Sequence, residues 1–182
     1  FQAVHFRGVS SGWAAGNLIY ATTNGGATWV QQDNPSGQAM QAITFVSSSR
    51  GYAVGNLGKI LTTANGGATW TTQSSGTSAG LYAVDFVSPT HGWIAGYGIL
   101  LHTTDGENWT SLDCGISVGI YGLDFVDATN GWAVGQDQRI WRTADGGTNW
   151  TLQYQGTTGY HLLDIEMRSL ADTIFVAQDA GS

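Results

Sequence analysis

TANGGATW, residues 63–70, is a polar turn that closes on a tryptophan, and the chain contains such a turn four times. The other copies are TTNGGATW (22–29), TTDGENW (103–109) and TADGGTNW (143–150). Asn24, Asn65, Asp105 and Asp145 can bend a side-chain oxygen back onto backbone N–H groups two residues on, and the glycines that follow tolerate positive φ. Asn-Gly and Asp-Gly between β-rich runs are the strongest short-range hairpin signal. Trp29, Trp70, Trp109 and Trp150 then open the next strand, each laying its ring over the turn with an indole N–H left to satisfy. The third copy is one residue shorter and carries Glu107 where the others carry glycine, so that turn is expected to be distorted.

Outward from the turns, the flanking sequence repeats as well. QAVHF (2–6), QAITF (41–45), YAVDF (82–86), YGLDF (121–125) and HLLDI (161–165) begin 39, 41, 39 and 40 residues apart. The first four lead to GWAAG (12–16), GYAVG (51–55), GWIAG (92–96) and GWAVG (131–135), then to LIYATT (18–23), KILTTA (59–64), ILLHTT (99–104) and RIWRTA (139–144). After the turn a fourth run leaves: TWVQQ (28–32), TWTTQ (69–73), NWTSL (108–112) and NWTLQ (149–153). Each unit thus holds four short strands, A to D, rich in Val, Ile, Thr and aromatics. A period near 40 with four strands per unit marks a propeller blade. An open β-solenoid is the weaker reading, since its coils usually repeat at roughly 20–30 residues.

The expected fold is all-β: one β-propeller domain with blades at about 2–40, 41–81, 82–120 and 121–160 and a partial blade at 161–182. TIFVAQ (173–178) stands in for strand B of the fifth unit. The first blade is already complete, so strand exchange between the ends would leave that half-blade unpaired. The expectation is an arc of about four and a half blades from a seven-bladed ring. The chain shows no signal peptide and does not begin with Met, which reads as processed or cut from something longer. One blade cannot shield both its faces. Val4, Ile43, Val84 and Leu123, with Phe6, Phe45, Phe86 and Phe125, should therefore form a core shared between neighbours, joined by Trp13, Tyr52, Trp93 and Trp132 from strand B.

Composition narrows the function. Charged residues are 10% of the 182, net charge is −7, and only one Lys and five Arg are present. Phosphate backbones and anionic membranes call for clustered cations, so nucleic acid is excluded as a natural partner. The apolar runs are too short for a membrane-spanning helix. Cys114 is the only cysteine, which rules out an internal disulfide and a multi-thiolate metal site. His5, His91, His102 and His161 occupy three different repeat positions and match no metal-ligand spacing, so neither metal nor cofactor is expected. Asn108 and Asn149 begin N-W-T triplets, but both fall at a turn exit where Thr suits the strand.

The composite GWAVGxxxxIxxTxDGGTxW resembles the BNR/Asp-box repeat, and within that group the propellers of the photosystem II stability/assembly factor family. The resemblance covers the four full repeats, about 160 of the 182 residues. It implies a non-enzymatic interaction or assembly scaffold with a protein partner, possible membership of a larger assembly, and an extracytoplasmic location: secreted, periplasmic or cell-surface, or lumenal in a photosynthetic source. It makes Asn24, Trp29, Asn65, Trp70, Asp105, Trp109, Asp145 and Trp150 structural residues of the box. The family binds its partner through a basic surface, whereas Arg7, Arg50, Arg139, Arg142 and Arg168 fall at non-equivalent places, so no site residue carries over.

The alternative is a glycan-binding or glycoside-hydrolase propeller. Sialidases share the box but need an arginine cluster and a tyrosine nucleophile. Xyloglucan-type glycosidases use two opposed aspartates. Asp85, Asp124 and Asp164 recur on strand A, but His5 and Thr44 share their column, which marks it as structural, and no catalytic residue is assigned. Binding is expected on the face carrying the B–C and D–A loops, which differ between repeats while the strands agree. Tyr97, Asp137, Arg139, Tyr154 and Tyr160 are the candidate binding residues there.

Overall fold

In the computed structural model, which describes residues 1–167 and 175–178, each Asx-Gly turn closes a hairpin between the last two strands of a four-stranded sheet. β1 (Ala3–Arg7), β2 (Ser11–Ala15), β3 (Ile19–Thr22) and β4 (Val30–Gln32) pair in chain order, all antiparallel. The order recurs in β5 (Met40–Phe45), β6 (Gly51–Gly55), β7 (Ile60–Thr63) and β8 (Thr71–Gln73). It recurs again in β9 (Leu81–Phe86), β10 (Gly92–Gly96), β11 (Leu100–Thr103) and β12 (Thr110–Leu112), and in β13 (Ile120–Phe125), β14 (Gly131–Gly135), β15 (Arg139–Thr143) and β16 (Thr151–Tyr154). β17 (Leu162–Glu166) and β18 (Phe175–Gln178) make a two-stranded sheet. The protein is a partial β-propeller of four blades and the start of a fifth.

The turns are built somewhat differently from the expectation. Thr22 Oγ1 accepts the amide of Gly26 at 3.0 Å, while Asn24 Oδ1 accepts that of Thr28, four residues on, at 2.9 Å. Thr63 with Asn65, and Thr143 with Asp145, repeat the pattern. Two glycines at positive φ separate the partners. The shortened turn has one, and there Asp105 Oδ1 does reach two residues on, accepting both Glu107 and Asn108 amides at 2.8 Å. These bonds hold the Asp105 carboxyl well below the usual range, the Asn108 side chain contributing most.

Blades interlock through one repeated contact. Trp13 stacks on Phe45 of the next blade at 3.6 Å, Tyr52 on Phe86 at 4.3 Å and Trp93 on Phe125 at 3.6 Å. Each strand-B ring also donates to a carbonyl in the next blade's turn: Trp13 Nε1 to Gly66, the Tyr52 hydroxyl to Gly106 and Trp93 Nε1 to Gly146, at 2.8–3.0 Å. Gln32 of β4 adds a clamp, donating to the Gly66 carbonyl and accepting from Trp70 Nε1 at 3.2 Å. Gln73 does the same for Gly106 and Trp109. Leu112 stands at the equivalent place in blade three, and Trp150 Nε1 turns to its own Gly147 carbonyl instead. The GW glycines follow from this packing. A Cβ on Gly51 would lie 2.6 Å from the Phe45 ring, which lies across it.

The expected shared core holds between blades but not at the first one. Phe45 is 2% exposed and Ile43 6%, whereas Phe6 is 44% exposed and Val4 62%. Nothing among the described residues packs on that face of blade one. It carries an apolar depression of about 670 Å³ lined by Phe1, Val4, Ala14, Tyr20 and Trp29.

The fifth unit also departs from the expected register. Asp85 Oδ2 accepts the Phe125 amide at 2.7 Å, and its counterpart Asp124 Oδ2 accepts the amide of Met167, not of Ile165. Met167 therefore takes the phenylalanine place and Glu166 the aspartate place, a slip of two residues. The buried residues Leu162, Ile165 and Met167 match Met40, Ile43 and Phe45 in spacing, and all three pack with Trp132.

Candidate protein-interaction face

Strand A lines the propeller axis, and one residue at its start stands at the channel mouth on the loop face. Around that mouth the sequence runs Gln2, Gln41, Tyr82, Tyr121, so half of the rim is amide and half is phenol. Tyr82 and Tyr121 stand 5.3 Å apart, and Tyr121 lies 5.4 Å from the His161 ring. Both tyrosines fold back over the incoming loop. A Cβ on Gly80 or Gly119 would meet their hydroxyls at 2.7 Å, so glycine before strand A makes room for the phenol. Gln41 on the other side is held by Asn56 Oδ1 at 3.0 Å. Together they border a groove of about 470 Å³ that also reaches Leu163 and Asp164. Burial pushes the Tyr121 phenol up, with Tyr82, Tyr97 and Asp137 adding to the effect.

The five residues expected to bind do not form one cluster of free side chains. Tyr97, Tyr154 and Tyr160 are exposed on the loop face. Asp137 and Arg139 are engaged with their own loops. Arg139 pairs with Asp137 at 3.7 Å, and Asp137 Oδ1 accepts the Gly159 amide at 3.2 Å. Gln138 joins the same strap, its Oε1 accepting the Thr157 amide at 2.8 Å and its own amide donating to the Tyr160 carbonyl at 3.1 Å. Asp137 and Gln138 both adopt positive φ to make these bonds. The pair thus fastens the blade-four B–C loop to the D–A loop that presents Tyr160. Among the described residues, buried Arg139 Nε and His161 Nδ1 meet no hydrogen-bond partner.

The rim residues Tyr82 and Tyr121 escaped the sequence reading because they belong to a repeated strand rather than a variable loop, and His161 because the two-residue slip moves it out of that strand to the place of Gly119. The signal was the first strand-A column, which changes halfway from Gln to Tyr.

The strand-A acids are latches between blades. Burial raises the Asp85 carboxyl to about 6, against the pull of the Phe125 amide it accepts. Asp124 is raised too, by burial and by Glu166 and Asp164 nearby. Asp164, expected in their column, instead accepts the Ile165 amide and faces the channel groove. The described residues contain no cluster of three or more potential metal ligands. No helix among them is long and apolar enough to cross a membrane.

Interlocked four-stranded blades around an axial groove, with Asp85 and Asp124 tied to backbone, make a propeller, and its repeats fit the BNR class. The family model described as photosynthesis system II assembly factor YCF48 matches residues 21–118, more than half of the chain. The chain belongs to that family.

Solved structures agree on the fold. The chain is similar to a YCF48 bound to D1 peptide at 18% identity and a TM-score of 0.52, over 100% of this chain and 75% of that one. It is similar to YCF48 from Cyanidioschyzon merolae at 16% identity and 0.51, over 97% and 92%. An ancestral GH74 enzyme superposes at 0.68 with 16% identity, over 82% of this chain but 23% of the enzyme. No curated protein sequence matches the chain.

Proposed function

We propose that this chain is a non-enzymatic assembly scaffold that binds a partner protein as an extended segment across the channel mouth on its loop face. The observation that carries the reading is the ring row Tyr82–Tyr121–His161 beside the amides of Gln2 and Gln41. Rigid phenols offer contact area at low entropic cost, and amides can pair with peptide backbone. The family and the D1 peptide held by one YCF48 support a peptide as ligand. Tyr97 and Tyr160 would extend the contact outward. The family also supports an extracytoplasmic location, lumenal in a photosynthetic source. The vacant aromatic face of blade one supports a larger ring, seven-bladed by the earlier reading, and a place in a larger assembly.

Calorimetry with the D1 peptide tests the function. Binding should weaken about tenfold in Tyr121→Ala, the loss of a hot-spot aromatic. Equal affinity in the variant would refute the site. The GH74 likeness and the exposed tyrosines favour a second reading, a glycan-binding or glycoside-hydrolase propeller. Turnover of a xyloglucan oligosaccharide by the purified chain would replace the first reading with it.

A further inference from the structure

His91 and His102 are 11 residues apart in sequence, and the fold sets their Nε2 atoms 2.9 Å from each other. His91 ends the A–B turn of blade three, where its amide is held by Ser88 Oγ at 3.0 Å. His102 sits in β11 directly across from Trp93. The two rings, 4.7 Å apart, lie over that indole at 4.9 and 5.3 Å. Both are half-buried and away from the loop face.

We propose that His91 and His102 form a two-imidazole site for a divalent transition metal ion of the Zn²⁺, Ni²⁺ or Cu²⁺ class. Two nitrogen ligands in adjacent positions of a square-planar or octahedral ion, at about 2.0–2.1 Å from the metal, stand about 2.9 Å apart. A tetrahedral ion asks for about 3.3 Å, a small opening of the pair. As the pair stands, one Nε2–H donates to the other Nε2. Binding moves that proton to Nδ1 through solvent, so both Nε2 lone pairs face the ion and no net proton is lost above the imidazole pKa. Water completes the coordination.

The flanking blades supply an independent reason to expect a cation here. Arg50 lies over the Tyr52 ring at 5.5 Å, and Arg142 over the Trp132 ring at 5.2 Å. His91 and His102 occupy the same two repeat positions, one step before the GW glycine and opposite the strand-B ring. Blade three is the middle blade of these three and has no guanidinium there. A metal ion on the two imidazoles would put positive charge over Trp93 as its neighbours do over theirs.

The test is a titration of the full chain with Zn²⁺ alone, read by calorimetry and by the melting temperature, on wild type, His91→Gln, His102→Gln and, as a control, His161→Gln. The expected result is one ion per chain and a metal-dependent rise in Tm, both kept in His161→Gln. Affinity should fall about tenfold or more in each of the other two variants. Cu²⁺ on the same proteins should give a paramagnetic resonance spectrum of two equivalent imidazole nitrogens that is lost in either variant. Zn²⁺ binding that is unchanged in both variants, or absent in wild type at millimolar metal, would overturn the proposal.

Discussion

The interlock between blades makes a differential prediction within one molecule, because the same tryptophan occurs with and without a neighbour. Trp70 is 5% exposed, meets Phe45 edge-on at 5.8 Å and gives its N–H to Gln32 of the preceding blade. Truncating a large buried aromatic costs roughly 3–5 kcal/mol. The orphaned Gln32 acceptor adds about 1 kcal/mol if water does not reach it. Trp70→Ala should therefore cost about 5 kcal/mol. Trp29 holds the same place in its own turn and meets Phe6 at 5.9 Å, but it is 36% exposed and no blade covers it. Its removal should cost about 2 kcal/mol, one aromatic pair and the partial burial of the ring. Urea unfolding followed by far-ultraviolet circular dichroism, which does not depend on the tryptophan signal, measures both. Equal losses for the two variants would refute the reasoning, since the motif alone, and not the neighbouring blade, would then carry the energy.

Asp85 should make the protein less stable as pH rises. Its folded pKa, about 6, lies above the unfolded value, so its contribution is fully present below pH 4 and gone above pH 6. The difference amounts to about 3 kcal/mol, and Asp85→Asn, which keeps an acceptor for the Phe125 amide, should flatten the stability curve across that window. Asp105 works in the opposite sense: its depressed pKa stabilises above the ordinary carboxylate range and the contribution is lost as pH falls through the folded value. Asp105→Asn, the residue that serves at positions 24 and 65, should keep the turn and remove the acid sensitivity, whereas Asp105→Ala should fray the hairpin in amide exchange. Gly51→Ala should cost about 1–3 kcal/mol, because the added Cβ forces the Phe45 ring against Trp13. Gly12→Ala should cost less, since Phe6 can swing into solvent.

The blades were legible in the sequence because each carries its own punctuation. A turn that must have Asx-Gly, and a glycine that must sit under a phenylalanine, recur at a fixed period whatever lies between. The register failed where that punctuation stops. HLLDI reads like YGLDF by composition, yet LDIEM is what fits, because the buried faces decide the register and a slip of two residues keeps every side chain on its face. The proposed interaction face was half legible. Exposed loop tyrosines could be named, but the engagement of Asp137 and Arg139 with their own loops shows only in the fold. The rim tyrosines are hidden in a strand pattern that a repeat analysis treats as scaffold. The His91–His102 contact joins a turn to a strand, and no linear spacing encodes it.

Amide hydrogen exchange of the full chain, with and without the D1 peptide, tests most directly where a partner binds. The account predicts protection around Ala79–Tyr82, Gly119–Tyr121 and Gln136–Gln138, all bordering the channel mouth. Protection confined to the opposite rim, at Thr22–Trp29 and Thr103–Trp109, would contradict it.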